Sequence, residues 1–459
     1  MKVRFWGGAQ TVTGSKHLIT SGKQQLLLEC GLFQGHREEA EQTNRHLPFK
    51  ARDVDYCVVS HAHIDHVGNV PNLVKRGFRG PIVATKATVA LSSVLLLDSA
   101  GIQESDVRYL NKRRKEQGEP PKEPVYTTQD AEESLRYFEG WNYAKPGSLG
   151  DFRVVLHDAG HILGSALVDI EVEGRRVLFT GDLGRRKMPI IRDPVQVEQA
   201  DFLIIEATYG NRVHGDYEQV DRRLGEAVNR ALARGGRVII PAFAVERSQE
   251  IIYTLNRLRQ NSRIPDVPVF VDSPLAASIT EVFRRYPQYY DEEAHALLNG
   301  NEELFNFPGL RFVTSADESK ALNRFEEPCI IISASGMCEA GRVLHHLKHS
   351  VGDERNMVLL VSFQAENTLG RRLQERRPFV RIFGEDYELK AEVAVMDEFS
   401  AHADRLGLLN YVSRMNLSRL KQAFLVHAEP EAASAMVEPL KALGVREVFV
   451  PEKGEEYEL

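Results

Sequence analysis

VVSHAHIDHVGNVPNL, residues 58–73, places His61, His63, Asp65 and His66 within six positions, directly after a short apolar run. Residues two apart in an extended segment point to the same side, so His61 and His63 can grip one ion from one face as the strand ends. Asp65 and His66 then turn toward a neighbouring point. Imidazole and carboxylate together suit zinc, manganese or iron. A lone exposed histidine is more often surface than ligand. Four ligand-type residues in so short a stretch are a much sharper pattern.

Two further segments share this character. DAGHILGSA, residues 158–166, sets His161 among small residues in a tight turn after the apolar run FRVVLH. LFTGDLG, residues 178–184, sets Asp182 at the end of an apolar strand, where Gly181 and Gly184 let the backbone turn sharply. An aspartate has two carboxylate oxygens and can bridge two ions.

The 459 residues are enough for two or three domains, and 42% hydrophobic with 27% charged residues is the balance of an ordinary globular protein. A net charge of −7 gives no global attraction to nucleic acid, so a polyanion must be held by a local basic surface or by bound cations. The four cysteines, Cys30, Cys57, Cys329 and Cys338, form no CxxC pair and read as buried thiols in a reducing compartment. MKVRFWGGAQTVTG at the start is unlike a signal peptide, and no apolar run reaches about 18 residues. These features predict a cytoplasmic protein with no membrane association.

KVRFWGG, KHLIT and QQLLLEC read as short strands with Gly-rich turns. Residues 103–133 read as an exposed helix and connection. Up to about residue 210 the chain looks β-rich, with helices on its outside and polar residues at strand ends. Residues 211–390 then alternate helices with short continuous apolar strands, the pattern of a parallel α/β sheet. Residues 391–459 return to the first pattern. The expectation is a first domain in two pieces, 1–210 and 391–459, carrying an inserted domain over 211–390.

HAHIDH, AGHILGSA and FTGDLG resemble the metal motifs of the metallo-β-lactamase fold, an α/β (α+β) protein built as an αβ/βα sandwich. The resemblance implies that His61, His63 and His161 hold one zinc, that Asp65 and His66 hold a second, and that Asp182 bridges them. LLLECG matches the first motif of that family, with Glu29 in place of its usual aspartate; Glu29 is carried over as a group that orients a ligand. IIEATYGNR with Glu206, DEFSAHADR with His402 and FLVHAEP with His427 resemble the three extra motifs of the β-CASP nucleases. PAFAVERSQEIIY, VDSPLA, SASGMCEAGR and SFQAENTLGRRL are similar to the inserted domain of the RNA-processing branch, which includes the endonuclease subunit of the cleavage and polyadenylation specificity factor and its compact prokaryotic relatives. DNA-repair members usually carry valine at the last motif, so His427 points to RNA.

The resemblance implies a zinc-dependent ribonuclease acting on single-stranded RNA as endonuclease, 5′ exonuclease or both. His427 would complete the second zinc site, and Glu206 would orient His402 as general acid, giving Asp65, Asp182, Glu206 and His402 as the catalytic set. Two metals about 3.5–4 Å apart lower the pKa of a shared water toward about 7, which supplies the nucleophile. The cofactor expected is two zinc ions per chain, with manganese as the alternative. For RNA contacts, the Gly336 turn, Arg342, Arg371 and Ser400 are assigned. Taken without the metal set, SAHAD could equally be a helix start capped by Ser400. Phe243 and Phe363 are assigned to the core, with base stacking as the other reading. The competing functions are a small-molecule hydrolase of the same fold and a non-catalytic RNA-binding or scaffold subunit. The family also allows a homodimer.

Overall fold

The computed structural model describes residues 1–35, 37–300, 302–365 and 367–459. These fall into two compact units. The first is Met1–Arg186 with Ile191–Val213 and His402–Leu459, and the second is His214–Ala401 with Lys187–Ile190.

In the first unit, strands β1 (Lys2–Gly7), β2 (Lys16–Ser21), β3 (Gln24–Leu28), β4 (Tyr56–Val58), β5 (Ile82–Thr85) and β6 (Phe138–Trp141) precede β7 (Gly147–Leu149), β8 (Phe152–Asp158), β9 (Ala166–Val172), β10 (Arg175–Phe179) and β11 (Phe202–Glu206). The second unit holds β12 (Val238–Pro241), β13 (Val269–Asp272), β14 (Leu310–Phe312), β15 (Ile330–Ser333), β16 (Met357–Leu360), β17 (Phe379–Ile382), β18 (Glu385–Glu388) and β19 (Glu392–Val395). The chain then returns to the first unit with β20 (Gln422–Val426), β21 (Glu447–Phe449) and β22 (Glu456–Glu458).

Two seven-stranded sheets build the first unit, in the orders β22-β1-β2-β3-β4-β5-β6 and β21-β20-β11-β10-β9-β8-β7. Side chains alternate across each strand, and the alternation sorts the core into layers. Leu26 and Leu28 of β3 meet Phe152, Val154 and Leu156 of β8 and Phe202 and Ile204 of β11 in one buried cluster between the sheets. Leu27 points the other way, joining Cys57, Val59, Leu73 and Leu96 under the helices on the outside of the first sheet. Leu203 and Ile205 of β11 likewise turn outward, to pack with Leu408, Val412, Met436 and Leu440 from the helices Arg405–Ser413 and Pro430–Leu443. Helices therefore cover both outer faces, and the two sheets share one apolar interior. This is the αβ/βα sandwich.

Thr85 caps the long helix Lys86–Glu116 by accepting a hydrogen bond from the Thr88 amide. The polar stretch after residue 103 supplies the outer turns of that helix. A separate helix, Thr128–Leu135, follows with a capping box between Thr127 and Asp130. No helix among the described residues is long and apolar enough to cross a membrane. All four cysteines are buried and unpaired.

The second unit is built on a six-stranded sheet of order β14-β13-β15-β12-β16-β19, parallel throughout. VIIP, IIIS and MVLL of β12, β15 and β16 are buried at every position, which is why they read as unbroken apolar runs. Strands β17 and β18 form a separate antiparallel hairpin that the sequence pattern did not reveal. Phe243 and Phe363 depart from the expected core: their residues are 40% and 48% exposed. Each follows a buried strand, and the apolar run that suggested burial ends before it.

Replacing Phe152, which is fully buried between the two sheets, with alanine is expected to cost about 3–5 kcal/mol. Urea unfolding of the two proteins side by side checks this, and a loss under 1 kcal/mol would contradict the packing described.

Candidate metal centre

Every candidate ligand sits where a buried strand ends. His61 and His63 follow β4, and Asp65 and His66 lie in the short helix Ile64–Val67 that starts at once after them. His161 follows β8, Asp182 follows β10, Glu206 is the last residue of β11, and His427 follows β20. His402 is brought in by the backbone: it forms an isolated bridge with Gly184, and the Ala403 amide donates to the Leu183 carbonyl at 2.7 Å. Gly184 must be glycine, because a Cβ there would fall 1.7 Å from the Gly160 carbonyl oxygen in the turn that carries His161.

Two donor sets result. His61, His63, His161 and Asp182 converge, as do Asp65, His66 and His427, each set with its ligand atoms within 4.8 Å of one another. In the first, His61 Nε2 and His63 Nδ1 stand 3.0 Å apart, and His161 Nε2 stands 3.2 Å from the same His63 nitrogen. In the second, His66 Nε2 and His427 Nε2 face each other at 3.3 Å, with Asp65 Oδ2 3.2 Å from His427 Nε2. Asp182 spans both: Oδ2 lies 3.3 and 3.4 Å from His61 and His161 Nε2, while Oδ1 lies 3.3 Å from His66 Nε2.

The ring nitrogens turned away from these sets fix the tautomers. His61 Nδ1 meets Ser60 Oγ at 2.9 Å, His66 Nδ1 meets Glu29 Oε2 at 2.8 Å, and His427 Nδ1 meets Thr208 Oγ1 at 3.0 Å. A neutral ring that carries its proton on that outer nitrogen has its Nε2 lone pair aimed inward. Several lone pairs meeting in a buried space repel one another unless a cation lies among them. The donor chemistry, imidazole with carboxylate, fits zinc at both sets. Glu29 also accepts from the Ser60 amide at 2.6 Å, so one buried carboxylate steadies the segments bearing His61 and His66. Burial holds the Glu29 carboxyl well above the usual carboxylate range, against the opposing pull of its bond from Ser60.

His61, His66, His161, Asp182, Glu206 and His427 are buried, whereas His63, Asp65 and His402 are half-buried and form the open side. Burial pushes His63 down to about 3, with His61 adding to the effect. Burial would lower His427 too, but the Asp182 and Asp65 carboxylates outweigh it and lift that group to about 10. His402 Nδ1 lies 3.0 and 3.1 Å from the two Glu206 oxygens. There too burial opposes protonation, and Glu206 overcomes it, raising the imidazole above its ordinary pKa. Glu206 also accepts from the Leu183 amide at 2.7 Å and from the Thr208 hydroxyl.

Sequence reasoning missed Ser60 and Thr208. Their only signal was adjacency, Ser60 just before His61 and Thr208 two after Glu206. Asp404, not Ser400, caps the helix Arg405–Ser413, accepting from the Gly407 amide at 2.8 Å, while the Ser400 amide closes a turn onto Asp397. Among the residues assigned to RNA, Arg342 is bonded to Asp272 at 2.7 Å and to the carbonyls of Val313 and Thr314 at 3.1 and 2.8 Å. Asp272 is fully buried and also bonds His346 Nε2 and the Ser319 hydroxyl, both at 2.6 Å. Its charge therefore requires that guanidinium. Arg371 pairs with Glu375 at 2.9 Å. Gly336 packs against the Phe243 ring.

Three family models match the chain: the metallo-beta-lactamase superfamily over residues 15–229, the Beta-Casp domain over 248–373, and the Zn-dependent metallo-hydrolase RNA specificity domain over 386–451. Ribonuclease TTHA0252 of Thermus thermophilus is 37% identical over 99% of this chain and 99% of its own length. Transcription termination factor FttA of Methanocaldococcus jannaschii is 30% identical over 98% of this chain and 70% of its own length. An RNase J-like protein of the same organism is 29% identical over 98% of both chains. A solved structure from Enterococcus faecalis V583, titled as a protein of unknown function, shares the fold with a TM-score of 0.53 at 13% identity over 99% of both chains.

Glu29→Gln presents an amide N–H₂ group to one of two donors that both need an acceptor. The expected result is roughly 10- to 100-fold weaker zinc binding with the fold retained. Competition against a fluorescent chelator measures this, and unchanged zinc affinity would remove Glu29 from the support of the site.

Proposed function

The chain belongs to the β-CASP ribonucleases of the metallo-β-lactamase superfamily, which are metal-dependent hydrolases, and from that premise we propose that it hydrolyses single-stranded RNA at the two donor sets joined by Asp182. The observation that carries the reading is the inward convergence of buried imidazole nitrogens around one two-sided carboxylate. We assign His61, His63 and His161 to one zinc, Asp65, His66 and His427 to a second, and Asp182 to both. Two ions held by these residues would supply Lewis acidity toward a phosphate and would lower the pKa of water.

The remaining residues handle the other proton. Displacement at phosphorus expels a ribose oxygen, which needs a proton as the P–O bond breaks. His402 is half-buried on the open side, and against the effect of burial Glu206 raises its affinity for a proton. With Nδ1 held by that carboxylate, Nε2 is the nitrogen available to donate. Glu206 is fixed by the Leu183 amide and the Thr208 hydroxyl, so it cannot swing away when the imidazole loses its charge. The Thr208 hydroxyl also meets His427 Nδ1, so the general acid and the second donor set share a support.

The test uses zinc-loaded protein and His402→Ala on one single-stranded RNA, labelled at the 5′ end in one tube and at the 3′ end in another. Internal fragments in both tubes are the mark of an endonuclease. Release of a labelled mononucleotide from the 5′-labelled RNA alone is the mark of a 5′ exonuclease. The variant is expected to keep its zinc and lose roughly 10²- to 10⁴-fold in turnover, and the same RNA annealed to its complement is expected to resist. Cleavage at the wild-type rate by His402→Ala would overturn the acid assignment, and no cleavage by wild type with two zinc ions bound would overturn the enzymatic reading.

Glu206→Gln leaves the depressing effect of burial on His402 without its main counterweight. The imidazole then loses its proton at lower pH, so the alkaline limb of the rate profile is expected to move to lower pH than in wild type. A limb that stays in place would mean that another group donates the proton.

A further inference from the structure

The parallel sheet of the second unit has a topological switch point. Strands β12 and β16 are hydrogen-bonded neighbours. The next strand after β12, β13, lies on the β15 side, whereas the next strand of this sheet after β16, β19, lies on the opposite side. Chains leaving the carboxyl ends of β12 and β16 thus diverge, and in open parallel sheets the crevice at such a divergence is where ligands bind. Phe243 stands two residues past the end of β12, and Phe363 stands three past the end of β16. Both rings belong to residues that are 40% and 48% exposed.

Scattered exposed hydrophobics are ordinary. These two differ in how firmly the backbone beneath them is held. The Phe243 carbonyl accepts from the Ser248 hydroxyl at 2.7 Å and the Ser248 amide at 3.2 Å, and the preceding Ala242 amide donates to Ser333 at the end of β15. Beside Phe363, the buried Gln364 amide donates to the Ser362 carbonyl at 2.9 Å and to the Gly336 carbonyl at 3.0 Å. Gly336 lies between the two loops. A Cβ on it would sit 3.1 and 3.2 Å from Cδ2 and Cε2 of Phe243, so a side chain there would push the ring aside. The helix Leu369–Gln374, which carries Arg371 and Arg372, is tied to the Gly336 loop through the Gly370 amide and the Met337 carbonyl. On that helix Arg371 pairs with Glu375 at 2.9 Å and Arg372 donates to the Asn367 carbonyl at 3.3 Å.

We propose that Phe243 and Phe363 form a stacking platform for unpaired nucleobases of the RNA substrate, with Gly336 setting the Phe243 ring and the Arg371–Arg372 turn facing the phosphates. The platform rests on the ribonuclease reading above for its ligand and on the second unit alone for its geometry. Every base offers a π-face, so the platform holds single strands with little regard to sequence. A duplex, whose bases are already stacked, gains nothing from it. Each ring is prepaid: its backbone is ordered before RNA arrives, so stacking costs little further ordering.

The experiment compares zinc-loaded wild type with Phe243→Leu, Phe363→Leu, Phe243→Trp and Phe363→Trp on a single-stranded oligonucleotide and on a matched strand lacking bases at internal positions. Thermal unfolding midpoints establish that all five proteins are folded. Each leucine variant keeps apolar bulk and loses the aromatic face. KM is expected to rise roughly 5- to 150-fold, the worth of one stacked base, with kcat nearly unchanged. The tryptophan variants are expected to recover wild-type KM, and on the abasic strand leucine and phenylalanine are expected to perform alike. Unchanged KM in both leucine variants overturns the platform, as does an equal loss on the abasic strand. If wild type cleaves no RNA, fluorescence anisotropy with the same strands reads the platform directly, so the two readings fail separately.

Discussion

The first unit depends on one electrostatic constraint: buried imidazoles point their lone pairs at one another across about 3 Å, with a single carboxylate between the two groups. Such an arrangement is costly unless a positive charge lies within it. Protonating every ring would crowd positive charge into a place without water, and leaving every ring neutral sets lone pair against lone pair. Cations resolve the conflict, and the surrounding structure is arranged to keep it in place until they do. Ser60, Glu29 and Thr208 hold the outer ring nitrogens, so the inner ones cannot rotate away.

Strand ends make this possible. Within a strand the ladder uses the backbone and the pleat sends side chains to the two faces, so a histidine there would be lost in the core. Just past the end, the backbone is free to turn while the preceding residues still anchor it in a sheet that packs on both faces. Five such ends, from β4, β8, β10, β11 and β20, meet with the short helix after β4 at one edge of the sandwich. The parallel register of β11 with both β10 and β20 carries Glu206 and His427 to the same edge as Asp182.

The second unit applies the same principle to a different end. Asp272 at the end of β13 is buried, neutralised by Arg342 and hydrogen-bonded to His346, so that end is closed. The neighbouring ends of β12 and β16 carry exposed aromatic rings on fixed backbone. Arg342, read from sequence as an RNA contact, is bonded to the buried Asp272. Two phenylalanines read as core are 40% and 48% exposed. Both features lie past a strand end, where apolar patterning stops being informative.

From the sequence alone the candidate ligands in HAHIDH, AGH and GDLG could be picked out, because the chemistry of a metal site restricts residue type and spacing strongly. The sequence also determined the parallel character of the second unit, since strands buried on both faces must be apolar throughout. Tertiary structure alone decided which nitrogens of His61 and His427 face inward, because Ser60 and Thr208 act through contacts that leave no spacing signal. The two-sided placement of Asp182, expected from the resemblance, takes its form from where its two oxygens lie relative to His61, His161 and His66. Tertiary structure alone paired Arg342 with Asp272 and left Phe243 outside the core. Burial of a side chain beyond a strand end depends on what packs over it, and that partner lies dozens of residues away along the chain.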